Sequence, residues 1–191
     1  MLVPLAIFTK VDSSFEHCIY SKPLLTGKRY QNMQGMKMDL TTEHLSKVEL
    51  LKRLDHAALL KLAEKGKLIP VSEGTVIIAE DSQDNMFYAI LQGRVDIHIS
   101  SPGSLLLDKA EGKVVATLKA GETVGEMALV GQKRRSATAK AREEVLLACW
   151  DPAELETLFE EDYELGFRVQ QQLARSFGER LSKTNLIARN F

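Results

Sequence analysis

Between Leu68 and Trp150 the apolar residues come in short, β-rich runs: Leu68 to Val71, Thr75 to Ala79, Met86 to Leu91, Val95 to Ile99, Val114 to Leu118, Ala137 to Ala141 and Val145 to Trp150. Turns containing glycine or acidic residues separate them: Ser72-Glu73-Gly74, Asp81 to Asp84, Gln92-Gly93, Pro102-Gly103, Glu111-Gly112 and Arg142-Glu143-Glu144. Many short strands at near-regular spacing predict a sandwich or a barrel. Val95, Ile97 and Ile99 alternate with Asp96, His98 and Ser100, the pattern of a half-buried antiparallel strand.

The flanks read as helical. Thr41 or Thr42 can cap, and Glu43 suits the positive end of a first turn. Leu45, Val48, Leu51 and Leu54 recur at three-residue steps. Asp55 offers a second cap, Leu59, Leu60 and Leu62 continue the apolar face, and Gly66 ends it. A helical hairpin over 41–65 is expected. After the strands, Asp151-Pro152 is a cap followed by proline at the first helical position. Leu155, Leu158 and Phe159 line a short helix, and Asp162 can cap a longer one reaching to about residue 188. There Leu165, Val169, Leu173, Phe177 and Leu181 fall at i+4 steps, a stripe that drifts about 40° per step. Such a helix overhangs a small barrel and leaves Phe177 and Leu181 exposed, which predicts a two-fold dimer through it. Residues 1–40 carry no lasting period and read as an arm, partly disordered or docked on the domain or a partner.

Composition narrows the function. Lys plus Arg is 25 and Asp plus Glu is 26 in 191 residues, which argues against bulk nucleic acid or an acidic membrane surface as the main partner, and no direct DNA binding is expected. The apolar start, Met1 to Phe8, is too short to span a bilayer. Cys18 and Cys149 lie far apart without paired spacing, so a reducing, cytoplasmic setting is expected. His17, His44, His56 and His98 lack metal spacing, and neither a Gly-x-x-x-x-Gly-Lys loop nor a Gly-x-Ser-x-Gly elbow occurs. No metal, no cofactor and no enzymatic activity are expected.

One stretch breaks the strand pattern, running from Gly121-Glu122-Thr123-Val124-Gly125-Glu126-Met127-Ala128-Leu129-Val130-Gly131 through Arg135-Ser136-Ala137-Thr138. Gly121 and Gly125, four apart, allow unusual backbone angles and close ligand approach. A helical turn at Glu126 to Val130 offers N–H groups to an anion. Arg135 follows Glu126 by nine residues, and an arginine fork suits phosphate oxygens better than a lysine point charge. A carboxylate beside a phosphate is repulsive unless it faces a hydroxyl donor, such as that of a ribose.

Val124-Gly125-Glu126-Met127-Ala128-Leu129 followed by Arg135-Ser136-Ala137-Thr138 resembles the phosphate-binding cassette of the cyclic nucleotide-binding domain family. That family includes kinase regulatory subunits, cyclic-nucleotide-gated channels and the catabolite activator protein. Val71-x-x-Gly74, Tyr88-x-Ile90-x-x-Gly93 and Leu118-x-x-Gly121 resemble it too, and the resemblance covers about residues 45–185. Val124 departs from the usual aromatic. The resemblance implies a mainly β fold with flanking helices: a double-stranded β-helix, jelly-roll-like, with an N-terminal helical hairpin and C-terminal helices. It divides the chain into the arm and a nucleotide-binding domain over 41–191, with helices 41–65, barrel 67–150 and C-terminal helices 152–188.

By the same resemblance Glu126 accepts from the ribose 2′-hydroxyl with help from Gly125, and Arg135 pairs with the cyclic phosphate. Backbone N–H groups at Ala128 and Ser136 complete the cradle, next to Met127 and Ala137. Ser136 leaves cGMP open beside cAMP. Ala116 and Leu118 enter a base pocket with Val114 on the same strand face. The C-terminal helix offers Arg168, Gln171, Gln172 and Arg175 to the base, Arg175 standing about where a channel-type lid arginine falls. The expected function is a stand-alone cyclic nucleotide sensor that signals through an effector protein or a dimer interface. The alternative is a ligand-free interaction module of the same fold.

Overall fold

Two side-chain caps start the N-terminal helices. Thr41 accepts from the His44 N–H while the His44 ring reaches back to the Thr41 N–H at 3.3 Å, a reciprocal box that opens α1 (Thr42–Ser46). Asp55 accepts from the Ala58 N–H at 2.9 Å and opens α2 (His56–Lys65). A 3-10 turn, Glu49–Leu51, lies between them. The computed structural model describes residues 39–83, 85–100, 112–131 and 134–188, with side chains to Ser182. All but the last two residues of the expected arm, including Cys18, lie outside the described residues, as does the Pro102-Gly103 turn.

Among the described residues eight strands follow: β1 (Lys67–Val71), β2 (Val76–Ile78), β3 (Phe87–Gln92), β4 (Arg94–Ile99), β5 (Lys113–Lys119), β6 (Thr123–Val124), β7 (Thr138–Ala141) and β8 (Val145–Trp150). They form two four-stranded sheets, ordered β1-β8-β3-β6 and β2-β7-β4-β5, and every described pairing is antiparallel. This is the jelly-roll-like arrangement expected, built as two sheets rather than one closed barrel. The two-residue β6 carries too little apolar sequence to be read as a strand. It forms by pairing Val124 and Thr123 with Tyr88 and Ala89 of β3.

Strand periodicity divides the core in two. In β3, Tyr88 and Ile90 face the second sheet, while Phe87 and Ala89 face the helices. In β8, Val145, Leu147 and Cys149 face inward, and Ala148 and Trp150 outward. Both strands are buried on both faces, so they read as continuous apolar runs rather than alternating ones. Trp150 joins the layers. Its ring stacks on Phe87 at 5.4 Å between centroids, and its Nε1 donates to the Leu62 carbonyl at 2.8 Å, in the last turns of α2.

The second sheet departs from the expected alternation. Val95 is buried and Ile97 half-buried, but Ile99 is exposed. The register of β4 against β5 shifts between Ile97 and His98, which turns the end of the strand away from the core. β5 is an edge strand, and Val114, expected on an inward face with Ala116 and Leu118, is 45% exposed.

At the C-terminal side Asp151 accepts from the Ala153 N–H at 2.9 Å and opens α3 (Pro152–Glu161). The long helix α4 (Tyr163–Ala188) buries Leu165, Val169 and Leu173 against the α1/α2 core. Phe177 is half-buried rather than exposed and packs on the same core, while Leu181 is 63% exposed. The exposed part of the stripe is therefore shorter than the i+4 spacing suggests. No helix among the described residues is long and apolar enough to cross a membrane.

Two ion pairs clamp α2 to the start of α4: Lys61 with Asp162 at 2.6 Å, and Arg168 with Asp55 at 3.1 Å. The hydrogen bond from Lys61, and then that from the Leu165 N–H, hold the Asp162 carboxyl below the usual carboxylate range. A carboxyl with a depressed folded pKa contributes stability that is full above its unfolded pKa and lost as pH falls through the folded one. Asp162→Asn is therefore expected to be less stable than the parent near neutral pH, with the gap closing as pH falls through the depressed pKa of the Asp162 carboxyl. Urea midpoints measured down that range check it, and a gap independent of pH would contradict it.

Candidate functional site

Gly125 shapes the turn between β6 and the 3-10 turn Glu126–Val130. Its φ is +82°, in the left-handed region where side chains are strained. A Cβ there would also meet the Met86 carbonyl at 2.8 Å and Arg135 Nη1 at 2.9 Å. The Gly125 carbonyl accepts from Arg135 Nη1 at 3.2 Å and from the Ala128 N–H at 3.0 Å. The N–H of Ala128, expected in an anion cradle, is thus engaged within the turn.

Arg135 is held by backbone and side chain together. Its N–H donates to the Ser82 carbonyl at 3.4 Å, and its carbonyl accepts from the Asp81 N–H at 3.0 Å. Asp81 itself takes a positive φ of 63°, a strained conformation beside the site. The Arg135 guanidinium is buried, 7% exposed, and donates to the carbonyls of Gly125 and Met86. Two chain segments, residues 81–86 and the turn at Gly125, converge on this one residue.

Glu126 is likewise buried, 5% exposed. Its carboxylate forms an ion pair with Arg180 of α4, whose Nη2 also donates to the Thr123 carbonyl at 3.3 Å. Burial pushes the Arg180 guanidinium below its ordinary pKa, opposed by the nearby Glu122 carboxylate.

These groups line one cavity of about 580 Å³. Gly125, Glu126, Met127, Arg135, Ser136 and Ala137, all named from sequence, lie in its wall. Ala116 and Leu118 of β5 form an apolar side, and Phe177 and Arg180 reach in from α4. Ala128 lines a separate cleft of about 300 Å³ with Phe159 and Gln170. Arg134 pairs with Asp81 at 3.6 Å and also borders the main cavity.

The lid residues differ from those expected. Arg175 is exposed and lies outside the lining, and Arg168 turns to Asp55 and Glu164. Helix geometry explains this. At 100° per residue, Arg175 stands about 200° from buried Leu173, on the opposite face, whereas Arg180 stands within about 20° of it. A charged residue seven positions after Leu173, on the buried line, was the signal for Arg180 in the sequence.

The site thus offers a buried carboxylate suited to a hydroxyl donor, a buried guanidinium suited to an anion, an apolar strand wall and an aromatic side chain from a helix. Among the described residues no group of His, Cys, Asp and Glu side chains could hold a metal ion.

Residues 68–162 match a family model described as the cyclic nucleotide-binding domain. The chain is 28% identical over 122 residues to a cAMP-dependent protein kinase regulatory subunit of Schizosaccharomyces pombe, covering 64% of this chain and 27% of that one. It is 30% identical over 127 residues to the Pycsar effector protein BcPycTIR of Burkholderia cepacia, covering 66% of this chain and 38% of that one. The chain therefore spans well under half of either relative. Among solved structures, a cyclic nucleotide-binding domain from Methylobacillus flagellatus aligns with a TM-score of 0.66 at 20% identity, covering 78% of this chain and 82% of that one.

Proposed function

Because residues 68–162 are a domain of the cyclic nucleotide-binding family, we propose that this chain is a cyclic nucleotide sensor taking cAMP or cGMP in the cavity above the cassette. The observation that carries the reading is the convergence of buried Glu126 and buried Arg135 on one cavity large enough for a nucleotide. Both charges are also met within the chain, Glu126 by Arg180 and Arg135 by the Gly125 and Met86 carbonyls, as buried ionised groups require.

In this reading Arg135 addresses the cyclic phosphate, with the backbone N–H of Ser136. Glu126 accepts the ribose 2′-hydroxyl beside Gly125. Ala116 and Leu118 contact the base from β5, and Phe177 covers it from α4, in place of Arg175. Residues 41–191 act as one regulatory unit, with residues 1–40 as an arm, in the cytoplasm. The signal leaves through an effector protein or a second copy, and the exposed end of α4 around Leu181 is the surface available for either.

Calorimetric titration with cAMP, cGMP and their 2′-deoxy analogues tests the reading. A hydrogen bond to a charged acceptor contributes roughly 1.5–3 kcal/mol, so the deoxy analogue is expected to bind at least about tenfold more weakly. Glu126→Gln is expected to shrink that difference towards unity. Equal affinities for ribose and deoxyribose ligands in the parent would remove Glu126 from the ribose role. Absence of binding by either cyclic nucleotide would favour a ligand-free interaction module.

A further inference from the structure

We propose that the cleft behind the cassette turn is a docking site for this chain's own basic segment, residues 22–30, which lies against the acidic face of α3. The inference is independent of what the main cavity binds.

The 3-10 turn Glu126–Val130 stands between two hollows. Glu126 and Met127 line the main cavity, while Ala128 and Leu129 line the cleft of about 300 Å³ on the other side. Pro152 and Phe159 of α3 complete its apolar part, and Glu156 and Glu160 of the same helix form its rim. Helix α3 carries four glutamates and no lysine or arginine. Glu156 and Glu160 are one turn apart, a spacing at which like charges destabilise a helix. Glu160 and Glu161 also stand in its last turn, where the helix end is itself negative. Among the described residues neither Glu156 nor Glu160 has an ion-pair partner. A cation seated between them relieves both unfavourable terms.

The chain supplies a segment of matching chemistry. Residues 1–38 hold five basic residues and two acidic ones, whereas residues 39–191 hold 20 basic and 24 acidic. Three of the five basic residues fall in Lys22-Pro23-Leu24-Leu25-Thr26-Gly27-Lys28-Arg29-Tyr30, beside two leucines and a tyrosine. Leucine side chains suit the Leu129 and Phe159 floor, and Lys28 and Arg29 suit the glutamate rim. The described chain also begins beside the cleft. A Cβ at Gly66 would meet Leu40 at 2.4 Å and the Trp150 ring at 2.6 Å, so those two side chains are neighbours. Pro152, on the cleft wall, follows Trp150 by two positions. Ten residues separate Arg29 from Asp39 and span up to about 33 Å when extended, enough to lead the segment from that point into the cleft.

Amide exchange on the full chain without nucleotide tests the docking. Residues 22–30 are expected to exchange on the order of tenfold more slowly in the parent than in Glu156→Lys/Glu160→Lys. Lys28→Glu/Arg29→Glu should exchange as fast as that variant, and the combination of all four changes should restore slow exchange. Glu156→Gln/Glu160→Gln, which keeps the side-chain shapes, is expected to fall between parent and reversal. Unaltered exchange within α3 shows in each case that the helix is intact. Equal exchange over residues 22–30 in the parent and the α3 variants overturns the proposal. Failure of the combined reversal to restore protection overturns the assigned pairing. In about 1 M salt, where the screening length is about 3 Å, protection should fall several-fold, and salt-independent protection would contradict docking through charge. Protection that disappears on dilution would place the segment of a second copy in the cleft, against an occupant from the same chain.

Discussion

Arg135→Ala is expected to lower cyclic nucleotide affinity at least about a hundredfold and to lower folding stability by roughly 2–4 kcal/mol. The loss of affinity follows from withdrawing the charged donors assigned to the phosphate. The loss of stability was not foreseeable from the motif, where a ligand-facing arginine looks dispensable to the fold. In the structure its guanidinium is buried and donates to the carbonyls of Gly125 and Met86. Truncation removes two charge-assisted hydrogen bonds and leaves a void between the cassette and the start of β3. Arg135→Lys keeps a charge but not the planar fork, so it should recover part of the affinity and less of the stability. Calorimetry and urea unfolding on the same preparations separate the two effects. Parent-like binding would end the phosphate assignment, and parent-like stability would contradict the buried contacts.

The second large effect is expected at Gly125. Gly125→Ala should destabilise the protein by about 3 kcal/mol and weaken nucleotide binding with it. Placing a side chain at positive φ costs roughly 1–2 kcal/mol. Crowding of the new Cβ against the Met86 carbonyl at 2.8 Å and Arg135 Nη1 at 2.9 Å adds roughly 1–3 kcal/mol. Gly131 provides the control. Its φ is +81°, but a Cβ there meets no atom within 4 Å. Gly131→Ala should therefore show the conformational cost alone, roughly 1–2 kcal/mol, and bind nucleotide as the parent does. Equal destabilisation at the two positions would mean that the crowding around Gly125 relaxes freely.

Much of the architecture was legible because the signals act over a few residues. Thr41, Asp55, Asp151 and Asp162 each accept from an N–H two or three positions ahead, so their capping role follows from local chemistry. The runs that became β3 and β8 stood out because strands buried on both faces are apolar throughout. The errors fell where an element depends on its neighbours. β6 exists through β3, and Ile99 is exposed because the register against β5 shifts. A stripe at i+4 steps placed Phe177 outside, but the side chain turns onto the cavity wall.

The sequence by itself determined the order of the helices and of every described strand but β6, the caps, and the cassette residues Gly125, Glu126 and Arg135 with their spacing. These are properties of short stretches, fixed by periodicity and by what each residue type can do to its own backbone. Only the tertiary structure decided which groups those residues meet. Arg135 reaches Met86, 49 positions away, and Glu126 meets Arg180, 54 positions away. The choice of Arg180 over Arg175 depends on the azimuth of a long helix, where each residue turns the side chain by about 100°. That azimuth is set by the burial of Leu165, Val169 and Leu173 in the helical core, beside the 3-10 turn Glu49–Leu51 and α3, and no local pattern around Glu126 contains it.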